Sequence, residues 1–148
     1  MLKIDMHTHI LPPEMPNWTE KFGYGDFIWL KQQKPGLADM MKGNAYFRTI
    51  EENCWDADVR MADYEKFNTQ VQVVCTVPVM FSYWAKGKDT LELSRFLNDH
   101  IADLQVRYPK NYVGLGTIPM QDTDLAVQEL HRLKNELKID GIQIGSNI

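Results

Sequence analysis

The chain has 148 residues, 44% of them hydrophobic and 24% charged, which is the composition of one ordinary globular domain. Its net charge of −4 and pI near 5.5 argue against a nucleic-acid or anionic-membrane partner, because phosphate recognition needs a clustered positive surface. Charges at Lys3 and Asp5 interrupt any signal peptide, and no uncharged apolar run approaches the roughly 20 residues of a membrane span.

The first predicted element is a strand of about eight residues, which Pro12 and Pro13 bring to an end. Side chains of a strand alternate between two faces, so Asp5, His7 and His9 are expected to project to one side. The opposite face is mostly apolar and is expected to pack under helices; its residues are Ile4, Met6 and Thr8.

His7 and His9 form the strongest candidate site in the sequence. On a strand, residues two apart stand roughly 6.6 Å apart, and imidazoles leaning together from that spacing both reach one metal at roughly 2.0–2.1 Å. The pair lies at the carboxyl end of the strand, where parallel α/β folds build their sites. A His-x-His pair alone also occurs on solvated surfaces, but this position favours a metal, and we predict His7 and His9 as metal ligands.

Residues 10–55 follow as a long segment with several prolines and no sustained helical period. Connections of this length are uncommon in compact domains, where they serve as lids or small subdomains. Aromatic side chains pack, so their number here argues against disorder; they are Trp18, Phe22, Tyr24, Phe27, Trp29, Tyr46 and Phe47. We expect this segment to form a cap over the metal end of the first strand.

Helices and strands alternate over the rest of the chain. A helix is predicted over residues 56–67, with Asp56 as one choice of N-cap and Asn68 as a left-handed stop. The β-branched run over 71–77 predicts a strand that is buried on both faces.

A second helix is predicted to open with a capping box headed by Asp89. Its apolar face repeats at three and four residues, through Leu93, Leu97, Ile101, Leu104 and Tyr108. A strand over 113–118 comes next, and then a third helix capped by Asp122. That helix is expected to turn four residues inward, Ala126, Leu130, Leu133 and Leu137. A fourth strand is predicted over 141–144.

This order of elements predicts an α/β fold with a parallel sheet, either doubly wound or a (β/α)8 barrel. No glycine-rich phosphate loop follows the first strand, which argues against the nucleotide-binding type. A full barrel needs about 250 residues, whereas this chain reaches only its fourth strand. We therefore expect residues 1–148 to be the N-terminal half of one TIM-barrel domain of the metal-dependent hydrolase type, with the cap insertion at residues 10–55, and the sequence to be a truncated or short form.

Six segments of the chain resemble decarboxylases of the metal-dependent amidohydrolase superfamily. They lie at residues 3–12, 22–25, 47–48, 52–56, 76–85 and 114–121. The resemblance extends over the whole chain but over only the front half of the family's length. It implies a zinc enzyme that converts 2-amino-3-carboxymuconate 6-semialdehyde to 2-aminomuconate 6-semialdehyde, without a redox cofactor, in the kynurenine branch of tryptophan breakdown and away from quinolinate.

The resemblance also implies roles for individual residues. It makes His7 and His9 the first two zinc ligands, and it makes Arg48 the group that binds a substrate carboxylate, a task that suits a planar guanidinium. Lys42 matches a second contact, although a solvated cation is the simpler interpretation for it. The family's third His ligand, Asp ligand and catalytic His come from later strands, so we expect them beyond Ile148 and expect no catalytic residue within this chain.

The remaining histidines and cysteines are expected to be structural. His100 and His131 lie on the predicted outer helices, the first at a boundary and the second in solvent. Cys54 and Cys75 form no CxxC pair, which indicates reduced thiols and a cytosolic location. The resemblance implies a homodimer that acts on a small molecule.

Two alternatives stay open. Another metal-dependent hydrolase or aromatic-acid decarboxylase of the same superfamily would share His7 and His9. A truncated product without activity would share them too, because two histidines alone leave a catalytic zinc short of the three protein ligands that it normally takes.

Overall fold

Two three-stranded sheets organise residues 1–146, the part of the chain that the computed structural model describes. The strands are β1 (Ile4–His9), β2 (Ile28–Lys34), β3 (Leu37–Lys42), β4 (Ala45–Glu51), β5 (Val71–Cys75) and β6 (Tyr112–Gly114). The helices are α1 (Trp18–Phe22), α2 (Ala57–Glu65), α3 (Gly87–Arg107) and α4 (Thr123–Arg132). One sheet is parallel, in the order β1-β5-β6, and the other is antiparallel, in the order β2-β3-β4.

The parallel sheet confirms the predicted alternation of strands and helices. Asp56 caps α2 as predicted, since its side chain accepts hydrogen bonds from the backbone N–H groups of Asp58 and Val59, both at 2.9 Å. Asp122 caps α4 in the same way, accepting from Leu125 N–H at 3.2 Å. Within residues 1–146, no helix combines the length and the apolar character that a membrane crossing needs.

The capping box predicted at Asp89 is wrong, because α3 begins two residues earlier, at Gly87. Asp89 lies in the first turn of the helix, and its carboxylate accepts a hydrogen bond from the Tyr24 hydroxyl at 2.8 Å. The same hydroxyl accepts from the backbone N–H of Lys86, the residue that precedes the helix, at 2.9 Å. A contact from the distant residue 24 thus replaces the local cap.

The prediction that Asp5 shares a face with the two histidines is also wrong. β1 pairs Asp5 with Gln72 but Thr8 with Val74, so β1 carries one extra residue between those pairs. Such a bulge reverses the alternation of side chains, because two residues then oppose one. Asp5 consequently accepts a hydrogen bond from the Tyr64 hydroxyl of α2 at 3.0 Å.

The apolar face predicted for β1 is only partly covered. Thr8 is buried as expected, but Ile4 and Met6 are 47% and 67% exposed. β1 is an edge strand of the described sheet, and its bulge lies between Asp5 and Thr8, which leaves both side chains largely uncovered.

The strand predicted over 113–118 ends at Gly114, and the strand predicted over 141–144 is reduced to one parallel bridge between Gly116 and Ile142. The physical reason is Asn98 of α3, whose amide accepts from Thr117 N–H at 2.8 Å and donates to its carbonyl at 2.9 Å. The backbone N–H and C=O of Thr117 therefore bond to a side chain of α3 and not to a neighbouring strand.

The antiparallel sheet is the main element that the sequence analysis missed. Residues 10–55 contain the short helix α1 and the whole β2-β3-β4 sheet. Its two turns place Gly36 and Gly43 at φ of +82° and +56°, a conformation that glycine adopts freely. One face of the sheet packs onto α3 in a core of Trp18, Phe27, Leu30, Ala38, Met40, Leu93 and Leu97.

A buried carboxylate joins α3 to α4. Glu129 is fully buried, although the stripe predicted for α4 places Leu130 inward; Leu130 is in fact 38% exposed. The Glu129 carboxylate accepts hydrogen bonds from Arg95 at 3.1 Å, Arg132 at 2.9 Å and Asn98 at 2.8 Å. A buried carboxylate is stable only when hydrogen bonds and opposite charges replace its hydration. Because Arg95 and Asn98 of α3 supply them, the network fixes the rotation of α4 about its axis relative to α3.

We expect Glu129→Ala to destabilise the protein by about 3 kcal/mol, because it leaves the Asn98 amide and two guanidinium groups without their shared partner. The matched control is Glu136→Ala, which removes an exposed carboxylate 3.9 Å from Arg132. Urea unfolding measures both. The control should leave the midpoint nearly unchanged, and equal effects of the two substitutions would contradict a dominant role for the buried network.

His100 of α3 is half-buried, and His131 of α4 is exposed, as predicted for a boundary and a solvated position. The pKa of His100 is lowered from its ordinary value of 6.5 to about 4, mainly by burial and also by the charge of the nearby Arg107. Its Nε2 has no hydrogen-bond partner among the described residues. The folded protein therefore resists protonation of this ring.

Between pH 6.5 and 4 the unfolded chain protonates His100 more readily than the folded chain, so stability should decrease as the pH falls through this window. His100→Gln should make the melting temperature less dependent on pH over that range. His131→Gln should behave as the wild type does. Circular dichroism melts at half-unit pH steps measure this, and an unchanged slope in His100→Gln would show that another group causes the acid sensitivity.

Candidate metal and substrate site

His7 and His9 converge at the carboxyl end of β1. Their Nε2 atoms lie 3.2 Å apart, and the two rings are nearly perpendicular with centroids 4.9 Å apart. His9 Nδ1 lies 3.0 Å from the carbonyl oxygen of Thr76, the residue that follows β5. A carbonyl can only accept, so Nδ1 carries the proton and the neutral ring keeps a free lone pair on Nε2.

The surroundings keep His9 neutral. Burial is the largest cause that lowers the pKa of His9 below 6.5, and the charges of His7, Arg60 and Arg48 lower it further; only the hydrogen bond to Thr76 acts in the opposite direction. A neutral imidazole with a directed lone pair is the form that binds a metal ion. The carbonyl contact at Nδ1 is the support that metal-binding histidines usually have.

The pair fits a divalent metal ion. Two nitrogen ligands at roughly 2.05 Å from one metal, at an angle between the octahedral and the tetrahedral value, lie roughly 2.9–3.4 Å apart, and the observed separation of 3.2 Å falls in that interval. Two lone pairs facing each other at this distance also repel unless a cation or a proton lies between them. Among residues 1–146, however, no group of three or more His, Cys, Asp or Glu side chains is placed to hold a metal. Within the described residues, the candidate site therefore consists of this pair.

Arg48 lies close enough to His9 for its charge to lower the pKa of that ring. It is an exposed residue of β4, where Met40 of β3 pairs with Arg48 but Met41 pairs with Tyr46, so Phe47 is an extra residue. The guanidinium lies 5.6 Å from the Phe47 ring, and its Nε donates to the Met40 thioether at 3.4 Å. No carboxylate within residues 1–146 pairs with it, which leaves its fork free for an anion.

A cavity of about 540 Å³ lies between the antiparallel sheet and the segments that follow β5 and β6. Lys42 and Asp26 supply its charges, and aromatic residues supply much of its wall; these are Phe47, Phe81, Tyr83 and Trp84. His7 and His9 are not in the lining. Phe47 lines the cavity and contacts Arg48, and the charge of Arg48 acts on His9.

Sequence reasoning singled out His7, His9, Arg48 and Lys42. The structure brings the two histidines together with Arg48 nearby, and it places Lys42 in the cavity lining. Sequence reasoning did not find the aromatic wall or Gln121, which also lines the cavity. The sequence did offer one indication of the aromatic wall: residues 78–84 directly follow a buried strand, and parallel folds build their sites at that end of a strand. Which of those side chains face the cavity depends on tertiary packing.

The sequence model of the family described as Amidohydrolase matches residues 4–147. The chain belongs to the amidohydrolase family. It is 50% identical over 147 residues to a Dictyostelium discoideum amidohydrolase named 2-amino-3-carboxymuconate-6-semialdehyde decarboxylase, which covers 99% of this chain and 41% of that protein. A Caenorhabditis elegans protein of the same name is 45% identical over 126 residues, covering 85% of this chain and 31% of that protein. The chain therefore spans less than half the length of these amidohydrolase relatives.

Solved structures confirm the amidohydrolase fold. 5-Carboxyvanillate decarboxylase from Novosphingobium aromaticivorans superposes with a TM-score of 0.70 and 21% identity, covering 99% of this chain and 42% of that one. 2,6-Dihydroxybenzoate decarboxylase from Rhizobium superposes with a TM-score of 0.64 and 16% identity, covering 95% and 37%. The predicted α/β barrel type is thus confirmed, and this amidohydrolase chain corresponds to part of such a barrel.

If the histidine pair is a metal site, His7→Asn and His9→Asn should each weaken Zn²⁺ binding by at least about tenfold, because each removes one of only two described ligands. Equilibrium dialysis at pH 7.5 measures the affinity. His131→Asn, an exposed histidine on α4, is the control and should bind as the wild type does. Zinc retained by the His7→Asn/His9→Asn double variant would place the metal elsewhere.

Proposed function

We propose that this chain carries the first metal ligands and the substrate-carboxylate contacts of a divalent-metal-dependent, non-oxidative decarboxylase. The observation that carries the proposal is the convergence of His7 and His9 Nε2 at 3.2 Å next to an unpaired Arg48. The 50% identity to a decarboxylase supports the same activity. We propose 2-amino-3-carboxymuconate 6-semialdehyde as the substrate, in tryptophan catabolism, where the reaction would divert material away from quinolinate.

We propose zinc as the metal. Neutral imidazole nitrogen is a ligand that zinc accepts readily, and burial lowers the pKa of His9, which favours the neutral form of that ring. Manganese is named in the structures of 5-carboxyvanillate decarboxylase and of dihydroxybenzoic acid decarboxylase, so it is the second metal to test. A third His and an Asp would complete the site; the family resemblance assigns both, together with the catalytic His, to sequence beyond Ile148.

Arg48 and Lys42 would hold the substrate's carboxylate groups. Both are exposed; Lys42 lines the cavity, and Arg48 directly follows Phe47, which also lines it. A guanidinium binds a carboxylate through two parallel N–H bonds. Asp26 in the same lining would repel a second anion on its side, which gives the bound substrate one orientation. Binding of this kind aligns the bond that breaks with the metal end of β1.

In the proposed reaction the bond between carbon and the departing carboxylate breaks, its electron pair stays on the carbon, and that carbon takes a proton as CO₂ leaves. No oxidant or reductant is consumed. A bound divalent metal supplies Lewis-acid chemistry at the reacting centre. His7 and His9 would hold the metal, Arg48 and Lys42 would orient the carboxylates, and the cavity between the antiparallel sheet and the segments after β5 and β6 would enclose the substrate.

We further propose that residues 10–55 act as a cap on the N-terminal half of a barrel, and that the protein works as a homodimer in the cytosol on a small-molecule substrate. The cap is supported by the position of the antiparallel sheet over the cavity.

The substrate assignment is tested by offering two acids to the zinc-loaded complete polypeptide, which includes the strands that the resemblance assigns beyond Ile148, and by measuring CO₂ release. One is 2-amino-3-carboxymuconate 6-semialdehyde, and the other is 2,6-dihydroxybenzoate. The second acid is included because the chain is 37% identical over 54 residues to a Rhizobium radiobacter gamma-resorcylate decarboxylase. Turnover of the first acid alone supports the proposal, whereas turnover of the second alone favours an aromatic-acid decarboxylase.

Arg48→Lys keeps a positive charge but loses the bidentate fork, so we expect kcat/KM to fall about 10- to 100-fold, mainly through KM. Arg107→Lys on the outer helix α3 is the matched control, because Arg107 pairs only with Asp103 of its own helix. Steady-state kinetics measure both variants. An Arg48→Lys protein with wild-type KM would remove Arg48 from the proposed carboxylate contact.

A further inference from the structure

Trp84 is a large aromatic side chain that remains exposed inside the cavity. Its residue surface is 55% exposed, although indole rings of this size are usually largely buried, and it is part of the cavity lining with Lys42 and Phe47. An exposed indole can stack on a flat ligand, and the neighbouring Lys42 can pair with an anionic group, so the two together favour a ligand that is both flat and anionic.

One side of the Trp84 ring rests on Gly25. A Cβ added at Gly25 would lie 2.4 Å from Cη2 and from Cζ3 of the indole, so only glycine admits the ring in this position. Phe27 lies beside it with centroids 4.7 Å apart, and Tyr24 meets it edge-on at 6.3 Å. Since these residues cover one side, the exposed surface of the ring is the part that lines the cavity.

The backbone around Trp84 is held in place from both sides. Ser82 has φ of +50°, a strained conformation for serine, and its carbonyl accepts from Ala85 N–H at 2.9 Å to close a turn around residue 84. The Gln121 amide donates to the Ala85 carbonyl at 2.9 Å and to the Thr90 hydroxyl at 2.7 Å. The ring is therefore positioned before any ligand binds, which lowers the ordering cost of binding.

We propose that Trp84 is the surface on which the planar, conjugated part of a carboxylate substrate stacks, and that Gly25 is the positioning residue that sets the plane of the ring. This assignment rests on the proposed function, because it takes the cavity to be the substrate site. The charges at Lys42 and Arg48 would recognise any carboxylate, whereas a flat indole favours a ligand with a π face. Trp84 would thus select conjugated over saturated acids.

The test compares two dicarboxylates of equal charge. Benzene-1,3-dicarboxylate is planar, and cis-cyclohexane-1,3-dicarboxylate has the same substitution without a π face. By isothermal titration calorimetry, the wild type should prefer the planar compound by about 2- to 10-fold, the ratio that an aromatic contact contributes. Trp84→Leu should remove the preference while retaining the affinity for the saturated compound, and Trp84→Phe should restore part of it.

Gly25 and Gly23 provide a matched pair for the positioning role. Both have φ near +75°, so Ala costs similar backbone strain at either position, but a Cβ at Gly23 meets nothing within 4 Å whereas one at Gly25 strikes Trp84. Gly25→Ala should therefore lose the planar preference, and Gly23→Ala should keep it. Equal ratios in these two variants would overturn the role of Gly25.

The binding ratio separates this inference from the proposed function. A planar preference that depends on Trp84 supports stacking even if no CO₂ is released, in which case only the reaction fails. A wild type that binds both compounds equally, or binds neither, overturns the stacking surface even if the decarboxylation assay succeeds. Retention of the planar preference in Trp84→Leu would overturn it as well.

Discussion

The hydrogen bond from His9 Nδ1 to the Thr76 carbonyl is the contact on which the candidate site depends. It exists because β1 and β5 pair in parallel with His9 opposite Cys75, so the end of one strand lies beside the end of the next. That single contact selects the tautomer of His9 and directs Nε2 towards His7. The residues after Thr76 then continue directly into the aromatic wall of the cavity, so one strand register positions both the candidate metal ligands and the cavity wall.

The antiparallel sheet adds what the parallel sheet lacks, namely positive charge. β3 ends at Lys42 and β4 carries Arg48, and the extra residue at Phe47 lets that ring and the guanidinium lie in contact. Positive charge near the histidines also lowers the pKa of His9, which keeps the ring neutral and ready for a cation. The groups that would attract an anionic substrate therefore also favour the neutral form of His9, although their charge repels a metal ion as it repels a proton.

Errors of the sequence analysis arise where distant groups override a local pattern. The bulge in β1 moves Asp5 to the helix side, and nothing in the alternation of residues 4–9 reveals it. Glu129 takes the buried position on α4 because Arg95, Arg132 and Asn98 together satisfy its charge, so a hydrophobic stripe could not locate it. The antiparallel sheet was missed because its short hairpins lie among prolines and turn residues.

The sequence by itself determined the α/β alternation, the caps at Asp56 and Asp122, and the choice of His7 and His9, because these follow from spacing and residue chemistry over a few positions. Only the tertiary structure decided that His9 is oriented by Thr76, that Arg48 lies near His9 and that Trp84 faces the cavity. Those relations join residues about 35 to 70 positions apart, and pairing and packing between separate elements, which no local pattern records, bring them together.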